Sequence, residues 1–344
     1  MSASINRRFV LAKRPVGLPT EDVFRLEETS IPEPAAGEIV ARTLYLSLDP
    51  YMRGRMNDAP SYVPPLQLGE VLTGGTVGQV IASKSEAFSE GDIVVGYGGW
   101  QEYFKLDAGE ARKVDPSIAP ISTALGVLGM PGHTAYGGLT EIGKPKAGET
   151  LVVSAASGAV GAIVGQIGKI KGCRVVGIAG SRDKCAYVTD KLGFDAAVSY
   201  RDTDFAERLA AACPDGIDVY WENVGGPTFD AVLPLFNPFA RIPVCGLIHW
   251  YNITEIPSIP DPTPKLMRSV LVNRLTIRGF IVFDFSNLQE QFLSDVSGWL
   301  RDGKIRYRED VRDGFENAPA TLIDLLQGGN FGKMLLRIGD AAAN

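Results

Sequence analysis

Leu151-Val152-Val153-Ser154-Ala155-Ala156-Ser157-Gly158-Ala159-Val160-Gly161 is the stretch whose reading decides the fold. A short apolar run enters a turn of small residues, and an uncharged segment continues to Gly168. The order is strand, tight turn, buried helix. Gly158 lets a backbone approach an anion closely, and Gly161 lets the helix pack against its strand. A helix that begins here presents unpaired N–H groups and the positive end of its dipole. The turn has the form of a dinucleotide fingerprint with Ala156 in the first glycine place. Taken alone, it also fits a plain structural turn.

Downstream, apolar runs at 174–179, 196–199, 217–222, 241–246 and 276–279 alternate with helical patterns at 159–171, 183–192, 203–212, 227–235 and 288–302. Six strands with helical crossovers predict an α/β doubly wound parallel sheet. Upstream the texture differs. Gly and Pro are frequent, and short apolar runs at 38–48, 76–82 and 92–98 predict an irregular antiparallel β domain. The α/β rhythm fades near residue 305, and 333–338 reads as a strand returning to the first domain. The expected organisation is a β domain over 1–122, completed by 305–344, and a Rossmann domain over 123–304.

The chain has 344 residues, 45% hydrophobic and 22% charged, enough for two ordinary globular domains. A net charge of −6 argues against a general nucleic-acid surface. Cys173, Cys185, Cys213 and Cys245 are scattered and form no C-x-x-C pair, so neither a disulfide framework nor a thiolate zinc site is expected. A reducing, cytoplasmic location fits. The uncharged runs 117–140 and 151–168 reach towards membrane-span length, but glycine breaks both and proline the first, so a soluble protein without a membrane partner is expected. Residues 1–9 lack the apolar core of a signal peptide.

The end of the second strand reads Ile178-Ala179-Gly180-Ser181-Arg182-Asp183-Lys184. An NAD site places an acid at the strand end for the ribose 2′-hydroxyl, but Gly180 stands there. Ser181, Arg182 and Lys184 supply a hydroxyl and two cations, which suits a 2′-phosphate and favours NADPH over NADH. Asp183 opposes that reading.

With Leu48-Asp49-Pro50-Tyr51-Met52-Arg53, Met130-Pro131-Gly132-His133-Thr134-Ala135-Tyr136, Glu222-Asn223-Val224-Gly225-Gly226, Cys245-Gly246-Leu247-Ile248 and Asn330-Phe331-Gly332-Lys333, the chain resembles the zinc-independent branch of medium-chain dehydrogenase/reductases. That branch includes leukotriene/prostaglandin reductases, alkenal double-bond reductases and curcumin reductases. The resemblance implies a GroES-like first domain and a cofactor site. In it Gly158, Ala159, Val160 and Gly161 hold the pyrophosphate, and Lys184 and Tyr200 meet the 2′-phosphate. Asn223 meets the ribose and nicotinamide region, and Cys245, Gly246, Leu247 and Tyr251 line the nicotinamide. Phe280, Ile281 and Val282, with Asn330 and Gly332, close over the cofactor. Tyr51 and Tyr251 stand at the substrate, in a pocket that also takes Arg53, His133 and His249. His133 and the pair His249-Trp250 depart from the branch's usual residues.

Zinc relatives carry a Gly-His-Glu run. Here the run is Leu68-Gly69-Glu70, and the chain has only two histidines, so no metal site is expected. Without a Lewis acid, alcohol oxidation is poorly supported. Hydride addition to the β-carbon of an enone or enal needs less help, because charge spreads onto the carbonyl oxygen. Tyr51, Tyr251 or water is then the proton source. A quinone reductase and a non-catalytic NADPH-binding protein are the alternatives. A homodimer, paired through the strand-like stretch 274–285, is the expected assembly.

Overall fold

The computed structural model describes residues 5–253 and 262–340. The parts of the expected domain spans at 254–261 and 341–344, with residues 1–4, lie outside the described residues. Two compact units form. The first takes the described residues up to Gly126, then Glu309–Asn330 and those from Met334 on; the second takes Val127–Arg308 and Phe331–Lys333.

The second unit is built on six strands: β1 (Thr150–Val153), β2 (Arg174–Ala179), β3 (Ala196–Ser199), β4 (Ile217–Trp221), β5 (Phe236–Val244) and β6 (Thr276–Gly279). Their order is β3-β2-β1-β4-β5-β6, and every neighbouring pair is parallel. Strand β1 is buried along its whole length, as a central strand covered on both faces must be. Leu151 registers with Val175 on one side and Val219 on the other. The chain therefore leaves β1 towards β2 and later returns to its other side as β4. That reversal opens a crevice beyond the carboxyl ends of β1 and β4.

The helices are α1 (Met130–Gly138), α2 (Gly161–Ile170), α3 (Arg182–Asp190), α4 (Phe205–Ala212), α5 (Gly226–Val232), α6 (Thr263–Asn273) and α7 (Gln289–Arg301). Helix α1 runs through a stretch where propensity opposes a helix, since three of its nine residues are glycine. Packing explains it. A Cβ would come within 2.0 Å of the Val127 carbonyl oxygen at Gly132, 2.3 Å of Phe285 at Gly137 and 2.4 Å of Trp221 at Gly138. The stretch 274–285 is not one strand. Only Thr276–Gly279 pairs; beyond it Ile281 N–H donates to Asp284 Oδ2 at 3.1 Å, and a short helical turn buries Phe285. Strand β5 begins at Phe236, earlier than the run from 241, with a register irregularity against β4.

In the first unit, Glu38–Ser47 is the central strand. It pairs antiparallel with Thr76–Ser83, Tyr103–Asp107 and Lys333–Arg337, so the last strand of the chain registers Leu335 with Ser47. Ile93–Gly96, Arg112–Lys113 and Glu309–Asp313 complete this sheet, and Ile5–Leu11 pairs with Phe24–Ser30 beside it. Its core gathers Phe9, Leu11, Leu46, Met52, Trp100, Phe315 and Leu336; Phe24 stacks on Trp100 with centroids 5.6 Å apart.

Candidate functional site

The turn after β1 is tight. Ala155 adopts φ +49°, an unfavourable conformation for a residue with a Cβ. Its carbonyl accepts from Gly158 N–H at 2.9 Å. A Cβ on Gly161 would meet that same oxygen at 2.4 Å, so α2 can begin here only with glycine. The helix starts at Gly161, two residues later than 159, which leaves Gly158, Ala159 and Val160 in the turn. Gly158 forms a parallel bridge with Gly332, whose φ is +91°. This brings Phe331–Lys333 onto the turn; Asn330 immediately precedes that segment.

At the end of β2, a Cβ on Gly180 would come within 2.9 Å of the Tyr200 hydroxyl. An acid cannot occupy this strand end unless Tyr200 moves. Ser181 caps α3 by accepting from Lys184 N–H at 3.2 Å. Arg182 and Tyr200 are exposed and Lys184 half-buried, and the Arg201 guanidinium lies 5.8 Å from the Tyr200 ring centroid. A glycine in the acid's place, beside a phenol and three cations, fits a phosphorylated ribose.

The ends of β1 and β4 are tied by Ser154 and Asn223. Asn223 N–H donates to Ser154 Oγ at 2.8 Å and its Nδ2 to the Ser154 carbonyl at 2.7 Å, while its Oδ1 accepts from Trp221 Nε1 at 3.1 Å. Both ends of this side-chain amide thus already serve the scaffold. Beneath lies Glu222, 2% exposed. Its Oε1 accepts from Val224 N–H at 2.7 Å, Gly225 N–H at 2.9 Å and Tyr220 OH at 3.2 Å, and its Oε2 has no partner. Burial pushes this carboxyl above the usual carboxylate range. Sequence reasoning used Glu222 as a motif member but missed this role. Its signal was an acid placed directly after the apolar strand 217–221.

Residues 245–251 lie on the 222–226 turn. Cys245 N–H donates to the Glu222 carbonyl, Ile248 N–H to that of Asn223 and His249 N–H to that of Val224. Burial pushes the Cys245 thiol up to about 12, so it is a neutral wall. Leu247 N–H reaches the Tyr251 hydroxyl oxygen at 3.4 Å, and a Cβ on Gly246 would be 3.1 Å from that oxygen. The Tyr251 phenol therefore lies across the 246–247 backbone. His249 and Trp250 meet edge to face at 4.7 Å over Gly225 and Gly226, whose positive φ values exclude side chains there. Phe280 packs its ring on Trp221 at 5.6 Å, followed by half-buried Ile281 and Val282.

Two residues expected at the substrate pocket, His133 and Arg53, are buried and hydrogen-bonded within the protein. His133 is 5% exposed, its Nε2 2.9 Å from the Phe285 carbonyl oxygen and its ring stacked on Phe292 at 5.1 Å. It packs between α1 and α7 instead of facing open space. Arg53 is 2% exposed and spends its guanidinium on the Gly17 carbonyl and Asn57 Oδ1. Tyr51, in the first unit, keeps a buried hydroxyl without a hydrogen-bond partner, and burial, with Asp49, raises its pKa well above the ordinary value. Glu70 Oε2 accepts from Gln67 N–H in a tight turn at 2.7 Å. Among the described residues no group of three or more His, Cys, Asp or Glu is placed to hold a metal ion.

Residues 7–114 match the family described as N-terminal domain of oxidoreductase, and 159–297 the family described as zinc-binding dehydrogenase. The chain is 54% identical to NADPH-dependent curcumin reductase of Escherichia coli (strain K12), covering 97% of each chain. The chain belongs to the medium-chain dehydrogenase/reductase family, in its enone-reductase branch. A 2-alkenal reductase (NADP(+)-dependent) of Nicotiana tabacum is 40% identical over 97% of each chain. The crystal structure of CurA in complex with NADPH from Vibrio vulnificus superimposes with a TM-score of 0.93 at 53% identity, covering 97% of this chain and 99% of that one. The family match fits the sheet order, the tight turn after β1 and the acid-free end of β2.

Proposed function

We propose that this family member is an NADPH-dependent reductase of carbon–carbon double bonds conjugated to a ketone or aldehyde. The acid-free β2 end, with Tyr200 over Gly180 and cations around it, carries the cofactor choice; relatives named as curcumin and 2-alkenal reductases carry the substrate class. When bound, NADPH supplies a hydride for the β-carbon of the substrate.

The chain's residues bind, orient and supply a proton. Gly158 to Gly161 receive the pyrophosphate at the α2 N-terminus. Ser181, Arg182, Lys184 and Tyr200 receive the 2′-phosphate. Cys245 to Leu247, Asn223, Phe280 to Val282, Asn330 and Gly332 shape the nicotinamide region. Tyr251 O–H is positioned by the 246–247 backbone to donate to the carbonyl oxygen as it gains negative charge. Tyr51, Tyr251 or water then delivers the proton that completes the α-carbon. Burial keeps the Tyr51 phenol protonated for that task. His249 borders the substrate region from the 245–251 segment.

The exposed edge strand β6 carries Ile277, and Leu271, Val272 and Phe283 are exposed apolar residues close to it in sequence, which suits pairing with a second copy across a two-fold axis. The four unpaired thiols suit a reducing, cytoplasmic compartment. Light scattering of the purified protein checks the dimer. NADPH consumption against a panel of enones and a panel of quinones tests the activity. Turnover confined to quinones replaces the reading with quinone reduction, and NADPH binding without turnover on either panel leaves a non-catalytic binding protein.

A further inference from the structure

We propose that Arg308 is a phosphate ligand of the dinucleotide site, a role that rests on the NADPH reading above. Its guanidinium carbon lies 3.9 Å from the Phe331 ring centroid and 6.0 Å from that of Tyr187. Phe331 and Tyr187 themselves meet edge to face at 5.1 Å. Two aromatic faces thus hold the cation, while among the described residues no carboxylate or carbonyl accepts from it. Stacking occupies the faces of a guanidinium and leaves the N–H groups at its rim free to donate. Arg308 is exposed, so those groups face solvent.

The backbone around it is fixed to the phosphate-binding elements from two sides. Gln166, buried on α2, donates to the Arg306 carbonyl at 2.8 Å and accepts from Arg306 N–H at 2.7 Å. The Arg308 carbonyl accepts from Lys333 N–H at 2.9 Å, one residue beyond the Gly332 that bridges to Gly158. Gly332 must itself be glycine, because a Cβ there would lie 2.2 Å from the Arg308 carbonyl oxygen. Tyr187 sits one turn after Lys184 on the same face of α3. Arg308 is therefore tethered to the pyrophosphate turn through residues 331–333 and to the 2′-phosphate helix through Tyr187. A cation held in place in advance loses little side-chain freedom on meeting an anion.

The test is direct titration of the folded protein with NADPH and with NADH, following ligand fluorescence, for the parent and for Arg308→Met. Methionine keeps an unbranched stem against Phe331 but removes the charge. The expected result is a rise in Kd of about tenfold for at least one cofactor, as for loss of one charge-assisted hydrogen bond, at unchanged melting temperature. A loss confined to NADPH assigns the contact to the 2′-phosphate; an equal loss for both assigns it to the pyrophosphate. Arg308→Lys should recover part of the affinity. Parental affinity for both cofactors in Arg308→Met overturns the inference and leaves the NADPH reading intact. A parent protein that binds no NADPH sinks that reading instead.

Discussion

A Cβ on Gly180 would stand 2.9 Å from the hydroxyl oxygen of Tyr200. Substitution at 180 therefore acts through Tyr200. Gly180→Ala should raise the Kd for NADPH and destabilise the fold by about 1–3 kcal/mol through overpacking. In a Tyr200→Ala background the same change should cost less than half as much. A double-mutant cycle on melting and NADPH binding measures the coupling, and additive losses would show that the two positions do not compete for space.

Lys184, whose N–H closes the Ser181 cap, carries its ammonium on the first turn of α3. Lys184→Ala leaves the cap bond intact because only the side chain changes. NADPH affinity should fall by about tenfold, the size of one charge-assisted contact, with NADH affinity little altered. Parallel titrations decide; equal losses would remove Lys184 from the 2′-phosphate.

Tyr251→Phe keeps the ring over the 246–247 backbone and deletes the hydroxyl that Leu247 N–H approaches at 3.4 Å. Turnover on an enone should fall by about 10²-fold or more, the usual worth of a positioned proton donor, while NADPH binding stays near the parent's. Steady-state kinetics beside a binding titration separate the two effects. Unchanged turnover would clear Tyr251 of any chemical role.

Glu222 gives a pH signature. Burial raises its folded pKa above the ordinary 4.5, so the folded protein keeps a proton that the unfolded chain releases. Stability from this group is therefore intact below 4.5 and declines as pH rises towards the folded value. Glu222→Gln retains an acceptor for Val224 and Gly225 N–H and has no charge to lose. The variant's melting temperature should gain on the parent's between pH 5 and pH 8. A gap that does not vary with pH would mean that the carboxyl is ionised in the fold.

Much of the architecture was legible because burial and periodicity agree. The runs 174–179, 196–199 and 276–279 coincide with observed strands, and the turn of small residues after β1 announced its helix. Helix α1 was illegible because its glycines oppose a helix, and only contacts with Val127, Phe285 and Trp221 explain them. The buried settings of His133 and Arg53 were illegible for a related reason. A polar residue in a family motif suggests a pocket, but burial and hydrogen bonds to the Phe285 and Gly17 carbonyls are tertiary facts that spacing does not encode. Arg308 escaped notice because nothing local marks a cation whose partners are rings at 187 and 331.

The bonds among Ser154, Trp221 and Asn223 lock the base of the central crevice within the protein alone. A cleft whose base is already rigid surrenders little disorder when something enters it. Association at this base should accordingly resemble docking to a finished surface, with the remaining entropy loss falling on the incoming molecule and on the groups that cover it.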